Sequence, residues 1–406
     1  MKKIHYAWWI MIACCAISCC TGIVFISAGN FYRPVAESLG VGVGTFTVYV
    51  MISSLTMAAL FPVMSKLIGK YPVPVLLIGG ILEYAPFGLM SCFNSLYQFY
   101  VAGFFIGVGA SITMFMAVPI LINMWFVEKK GTAMGISLAF SGVAGAIASL
   151  IVGYTIPTFG WRMSYMIMAI IGLCVFVPAI LLIVRTPQQK QMEPYGAEKQ
   201  TVGEPNNVAV ENTKELSPTT KTKALLCMML SAAALSMAAS EAPQVAAFST
   251  GHFHLSPAMA ATMVSLFSIG AIIGKIGLGA IDDRIGHMKA FLLGLVLVVI
   301  SQVMLLASGL PIAMISFAII LAGMALTVYT VLPPLMTSAI FGPKDYNQYW
   351  AYIMSTGCIT GAVATPLFGT MFDMTGSYTA VFTLIIILTI VGGILGVGAM
   401  KIGMKE

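Results

Sequence analysis

Charge is what this chain has least of. Only 8% of its 406 residues are Asp, Glu, Lys or Arg, against 59% hydrophobic, too few polar side chains to cover a globular surface. A water-soluble domain is excluded, and most of the surface must face lipid. The eight cysteines lie almost wholly in apolar runs without paired extracellular spacing, so no disulfide framework is implied. Four of them, Cys14, Cys15, Cys19 and Cys20, share the first run at a spacing open to a soft-metal path. Small, weakly polar packing on a membrane helix explains them more simply. The chain has no nucleotide-binding glycine loop, nucleophile elbow or metalloprotease helix, which removes ATP-driven and hydrolytic chemistry and any expected cofactor. His252 and His254 form a His-x-His without an adjacent third ligand, so no metal centre is expected.

What the chain does have is apolar runs, near residues 6–30, 43–66, 73–92, 95–122, 131–157, 161–185, 223–248, 258–282, 288–308, 311–338, 346–372 and 376–401. Each is long enough to cross about 30 Å of hydrocarbon, and runs of about 20 residues exclude the short alternating segments of a barrel. The expectation is an all-α membrane protein with twelve transmembrane helices. Lys2 and Lys3 precede a run too long for a signal peptide's apolar core and without a small-residue cleavage site, which reads as a retained first span. Between Thr186 and Thr222 large apolar residues nearly vanish, and this stretch is expected neither to span nor to pack a core. It divides the chain into a six-helix bundle over 1–185, a linker over 186–222 and a second bundle over 223–406. All twenty Lys and Arg residues except Arg33, Arg162 and Lys275 then fall on one side. Both termini and the linker are therefore expected in the cytosol of a multi-pass protein of the cell inner (plasma) membrane. The net charge of +6 is topology, not a nucleic-acid footprint.

An internal repeat supports the division. Pro119, Phe126, Gly153 and the Gly160-Trp161 turn recur about 215 positions later as Pro334, Phe341, Gly369 and Gly376-Ser377, with Lys129 and Lys130 answered by Lys344. At the end of the eighth run stands Gly279-x-x-x-Asp283-Arg284-x-Gly286-x-x-Lys289. This pattern resembles the signature loop of the major facilitator superfamily of secondary transporters, which is built from two pseudo-symmetric six-helix bundles around a midplane site. The resemblance implies that Gly279 lets two helices approach, that Asp283 accepts from a neighbouring helix's amino end, and that Arg284 and Lys289 hold the loop in the cytosol. The first-half copy is degenerate, with Pro62, Lys66 and Leu67 at the Gly, Asp and Arg positions and only Gly69-Lys70 kept.

Further segments are similar to the monocarboxylate transporters and bacterial oxalate/formate exchangers. They are Phe31-Tyr32-Arg33-Pro34, Trp125-Phe126-x-Glu128-Lys129-Lys130-Gly131, Gly160-Trp161-Arg162, Phe341-Gly342, and Gly369-x-x-x-Asp373 with Gly376-Ser377-Tyr378. The fifth span, with Ser141-Gly-Val-Ala-Gly145, lacks the Gly-Pro-x-x-Gly-Gly of proton-coupled drug exporters. In the oxalate/formate type a substrate-binding arginine precedes the loop's first glycine by four positions, which falls on Lys275. A second cation there maps to Ile353, three after Trp350, so the resemblance implies a substrate with one carboxylate.

The expected function is secondary transport of a small organic anion, a monocarboxylate, by proton symport or anion exchange, in a monomer. Lys275, the sole Lys or Arg inside a span, would be the counter-ion, because an ammonium in lipid costs at least about 2.5 kcal/mol. Tyr329, Thr330, Trp350, Tyr32 and Arg33 complete the substrate-binding candidates; Glu241, Glu83 and Gln244, beside Pro243, are candidates for coupling or gating. The alternatives are export of apolar or amphipathic compounds by the same fold and, remotely, a membrane-embedded transferase. The latter would need paired carboxylates or a His-Asp set at one face, and Glu83, Glu241 and the histidines are expected at different depths.

Overall fold

The structure, a computed structural model, describes residues 5–197, 217–307, 310–375 and 377–403. Lys2, Lys3, Gly376, Lys405 and the body of the expected linker, with Lys199 and Lys214, lie outside them. Ten helices are long and apolar enough to cross a membrane. Two of these, Lys130–Ile183 and Ile312–Ala364, run to 54 and 53 residues and serve for two crossings each. Gly160 (φ 81°) breaks the first and Gly342 (φ 66°) the second, a backbone region open to glycine at little cost. Among the described residues, ten such helices with two of them broken are consistent with twelve crossings.

Two compact units result. The first contains Met1–Glu128 and Ile136–Thr201; the second contains Lys129–Gly135 and Val202–Glu406. In the first, Gly103 and Gly107 let the fourth span lie on the second: a Cβ on either would sit 2.5 Å from the carbonyl oxygen of Tyr49 or Ser53. Close backbone approach of this kind stands in for the hydrophobic effect, which lipid does not supply between helices.

Three segments depart from the sequence expectation. The first span does not end near residue 30: after a turn a helix runs on over Gly29–Leu39 and closes at Gly40 (φ 66°). Arg33 and Pro34 lie inside this helix: Phe31 and Val35 bury one face while Arg33 pairs with Glu37 at 2.7 Å across one turn. The seventh span starts early, at Pro218, where the Ser217 hydroxyl caps Thr220 N–H. It stops at Ala239, and a 3₁₀ turn over Ala242–Gln244 leads to a short helix, Val245–Gly251. Pro243 has no N–H to continue the α-helical ladder.

The third departure is the start of the linker. Residues 186–197 pack onto the first unit: Tyr195 donates its N–H to Trp125 O at 2.8 Å and accepts from Val127 N–H at 2.9 Å. Its ring lies 5.5–5.9 Å from His5, Trp8 and Phe126. Beside it Trp125 Nε1 donates to Arg185 O at 2.8 Å, Tyr6 Oη donates to Ile183 O at 2.7 Å, and Lys190 covers the Tyr6 ring. Composition hid this strap because one aromatic residue, fixed by backbone bonds, does the packing.

Each aromatic pair contributes about 0.5–1.5 kcal/mol. Tyr195→Ala is therefore expected to lower stability by about 1–3 kcal/mol. Hydrogen exchange should show loss of protection at residues 125–128 and 186–197, with the spans themselves unaffected.

Candidate functional site

Asp283 is reached through the helix Pro257–Ile285, which ends at Gly286 (φ 84°). It accepts from Gly131 N–H and Thr132 N–H, each at 2.7 Å, and from the Thr132 hydroxyl. These donors are unsatisfied groups of a helix amino end, where the dipole also favours an anion. The backbones meet closely: a Cβ on Gly279 would lie 2.4 Å from Gly131 O, and one on Gly135 would lie 2.1 Å from Lys275 O. Beside them His287 Nδ1 is 2.8 Å from an oxygen of the buried Asp282, and Lys130 Nζ donates to Ser338 Oγ at 3.0 Å. Arg284 and Lys289 are exposed. Thr132, Ser338, Asp282 and His287 are the partners that sequence reasoning missed.

Lys275 sits two turns before Asp283 on the same helix, with its side chain half-buried. The other substrate candidates of the second unit are not gathered about one open point. Trp350 is 1% exposed, and Thr330 returns its hydroxyl to Leu326 O. Tyr329 is buried beside Thr389 and within electrostatic range of Glu241, and neither hydroxyl makes a hydrogen bond of regular geometry. In the first unit Tyr32 is half-buried against Phe46 and Tyr49, while the exposed Arg33 is engaged with Glu37.

Both glutamates are enclosed. Glu83 is 0% exposed on Pro72–Leu89; its Oε2 accepts from Thr113 Oγ1 at 2.5 Å and its Oε1 has no partner. Thr113 opens a π-helical turn over Thr113–Ala117 in the fourth span. Glu241 is 3% exposed and accepts at Oε2 from Gln302 Nε2 at 2.6 Å. Gln244 Oε1 accepts from Tyr378 Oη at 3.2 Å. Gln302 and Thr113 were missed as partners, though a lone amide in the apolar run His287–Leu306 is itself a signal. The histidine pair faces a serine rather than an acid: His252 Nδ1 is 3.3 Å from Ser377 Oγ.

Long apolar helices in two compact units, a charged loop with a helix-capping aspartate and a lysine within an apolar helix define a polytopic secondary transporter. Residues 12–240 and 224–402 match the Major Facilitator Superfamily, to which the chain belongs. It is 25% identical over 339 residues to monocarboxylate transporter 12 of Rattus norvegicus, covering 76% of this chain and 68% of that protein. Over 166 residues, 39% of this chain and 34% of the other, it is 30% identical to monocarboxylate transporter 2 of Homo sapiens. Among solved structures it shares the fold of the human organic anion transporter MFSD10, with a TM-score of 0.72 at 12% identity over 97% of this chain and 100% of that one.

Removing the Asp283 carboxylate leaves two amide donors and a hydroxyl uncapped, at a cost of about 1–2 kcal/mol. Asp283→Ala should therefore lower the melting temperature in detergent, with Asp283→Asn in between. Gly135→Val should lower it at least as much, because its side chain has no room against Lys275 O.

Proposed function

We propose that this transporter carries a small organic anion with one carboxylate by alternating access, with both termini in the cytosol, and that Lys275 is the cation on which the carboxylate docks. The observation that carries this reading is a half-buried lysine in the middle of the Pro257–Ile285 helix, where an ammonium is tolerated only for a reason. It stands two turns from the Asp283 cap, on a stretch whose backbone is held against Gly135. The relatives point the same way, since several are monocarboxylate transporters. A lysine holds a carboxylate as a point charge, without the two-pronged geometry of arginine, which suits a small cargo with one such group.

The test is counterflow of labelled lactate, pyruvate and formate in liposomes carrying the purified chain. Exchange should be seen with at least one of them. Lys275→Ala should reduce it by about tenfold or more, and Lys275→Arg should keep a measurable part, as expected for loss of a charge-assisted contact worth about 1.5–3 kcal/mol. Undiminished counterflow in a folded Lys275→Ala protein would remove the anion assignment and favour export of apolar or amphipathic compounds.

A further inference from the structure

The function proposed above uses neither of the two enclosed carboxyls, and they differ in how they are mounted. Glu83 lies in the middle of a continuous helix whose neighbours leave it no play: a Cβ on Gly109 would sit 2.5 Å from Glu83 N and 2.8 Å from its Cβ. The adjacent Tyr84 is tied by its hydroxyl to Cys20 O at 2.6 Å. Glu241 is mounted on a joint. The α-helix stops at Ala239, the 3₁₀ turn follows at Ala242–Gln244, and Ser240 Oγ bonds both Ser236 O and Gly361 O at 3.1 Å. Turns of this kind at the end of a span absorb backbone changes that a continuous helix resists.

The groups around Glu241 come from several elements and are neutral. Gln302 donates to it from His287–Leu306, and Tyr329, on the turn Thr327–Thr330, lies within electrostatic range of it, itself beside Thr389 of Thr379–Gly403. On its own segment Gln244 is occupied by Tyr378. Among the described residues no Lys, Arg or His forms an ion pair with it. A carboxylate in that shell would be desolvated with a single amide N–H as compensation, whereas the neutral acid fits it at small cost. The same amide argues against a metal cation such as sodium, because an N–H donor holds one carboxylate oxygen and would face the ion with positive charge.

We infer that Glu241 is the proton-binding site of the transport cycle and that Gln302 is the positioning residue that decides when the proton is held. The inference rests on the organic-anion reading above for its role in transport, though proton binding itself does not depend on the cargo. A proton adds to the Glu241 carboxylate to give the acid, which is the form Gln302 and the turn enclose. When the 240–244 turn opens to water, the carboxylate regains its hydration and the proton leaves. One monoanion and one proton then cross together without net charge.

Two measurements on the full chain separate this proposal from the cargo reading. The first is thermal stability against pH in a Glu83→Gln background, which removes the other enclosed acid. A site that favours the neutral acid when folded stabilises at low pH, and that contribution is lost as pH rises through the folded-state ionisation. The melting temperature should therefore fall with rising pH, and the slope should flatten when Glu241→Gln is added. An unchanged slope overturns the proposal whatever the cargo. The second compares lactate counterflow at equal pH with accumulation driven by an imposed pH gradient. Glu241→Gln should keep counterflow within about twofold and lose gradient-driven accumulation by about tenfold or more, the usual size of coupling between sites. Gln302→Leu should shift the pH of half-maximal accumulation, and Glu83→Gln should leave both assays intact. Gradient-driven accumulation that survives in Glu241→Gln, or that requires sodium instead of a pH gradient, overturns the proposal. Absence of counterflow in the native chain with the pH slope intact would instead strike the anion reading alone.

Discussion

Lipid has no hydrogen bonds to give, and the helix ends and charged side chains of this fold are arranged around that fact. Helices satisfy the backbone within each span, so the groups that need outside help are the ends of helices and the few charged side chains. Asp283 answers one such end by taking two backbone N–H groups and a hydroxyl from the helix that opens at Lys130. Arg162 answers another, donating to Ser91 O and Phe93 O at 3.0 Å each and to Asn94 Oδ1 at 2.7 Å where the third span gives out. The strap around Tyr195 does the same for the strand-like residues after Trp125.

Because apolar side chains gain nothing by leaving lipid for each other, the helices are held by contact geometry instead of by hydrophobic burial. That is why several close crossings set glycine against carbonyl, as at Gly107 on Ser53 and at Gly279 on Gly131. The two requirements meet in the signature loop. Close approach of Gly131 and Gly279 brings the amino end of one helix within reach of Asp283, and the cap in turn keeps the backbones close. Lys275 is set on the same short stretch of helix, so the residue proposed to meet the cargo shares its mounting with a close backbone crossing of the second unit.

Most of the architecture was legible from the sequence, because a span is a run of one chemical character and a break is a glycine or proline at a known place. The resemblance of the loop to the superfamily's signature pattern implied a capping role for Asp283, and its carboxylate accepts from Gly131 and Thr132. Partnerships across helices were not. Glu241 and Gln302 are 61 positions apart and Glu83 and Thr113 are 30 apart, and no periodicity links them. The Gly29–Leu39 helix was lost because Arg33 and Pro34 look like an exit from the membrane when the i, i+4 pair with Glu37 is not considered. Tyr195 was lost because one aromatic residue in a polar stretch carries no pattern at all.

Two settings recur among the described carboxyls. In one, a carboxyl lies beside a basic group or a helix amino end: Glu37 with Arg33, Asp345 with Lys221 at 2.7 Å, the buried Asp282 against His287, and Asp283 on a helix amino end. In the other, a carboxyl is met by a single neutral donor, a threonine hydroxyl for Glu83 and an amide for Glu241. A fold that wanted fixed negative charge inside would supply a cation or several N–H groups, as it does in the first setting. Supplying one neutral donor instead leaves room for a proton, and of the two sites only Glu241 stands on a segment whose backbone is not already locked in a helix.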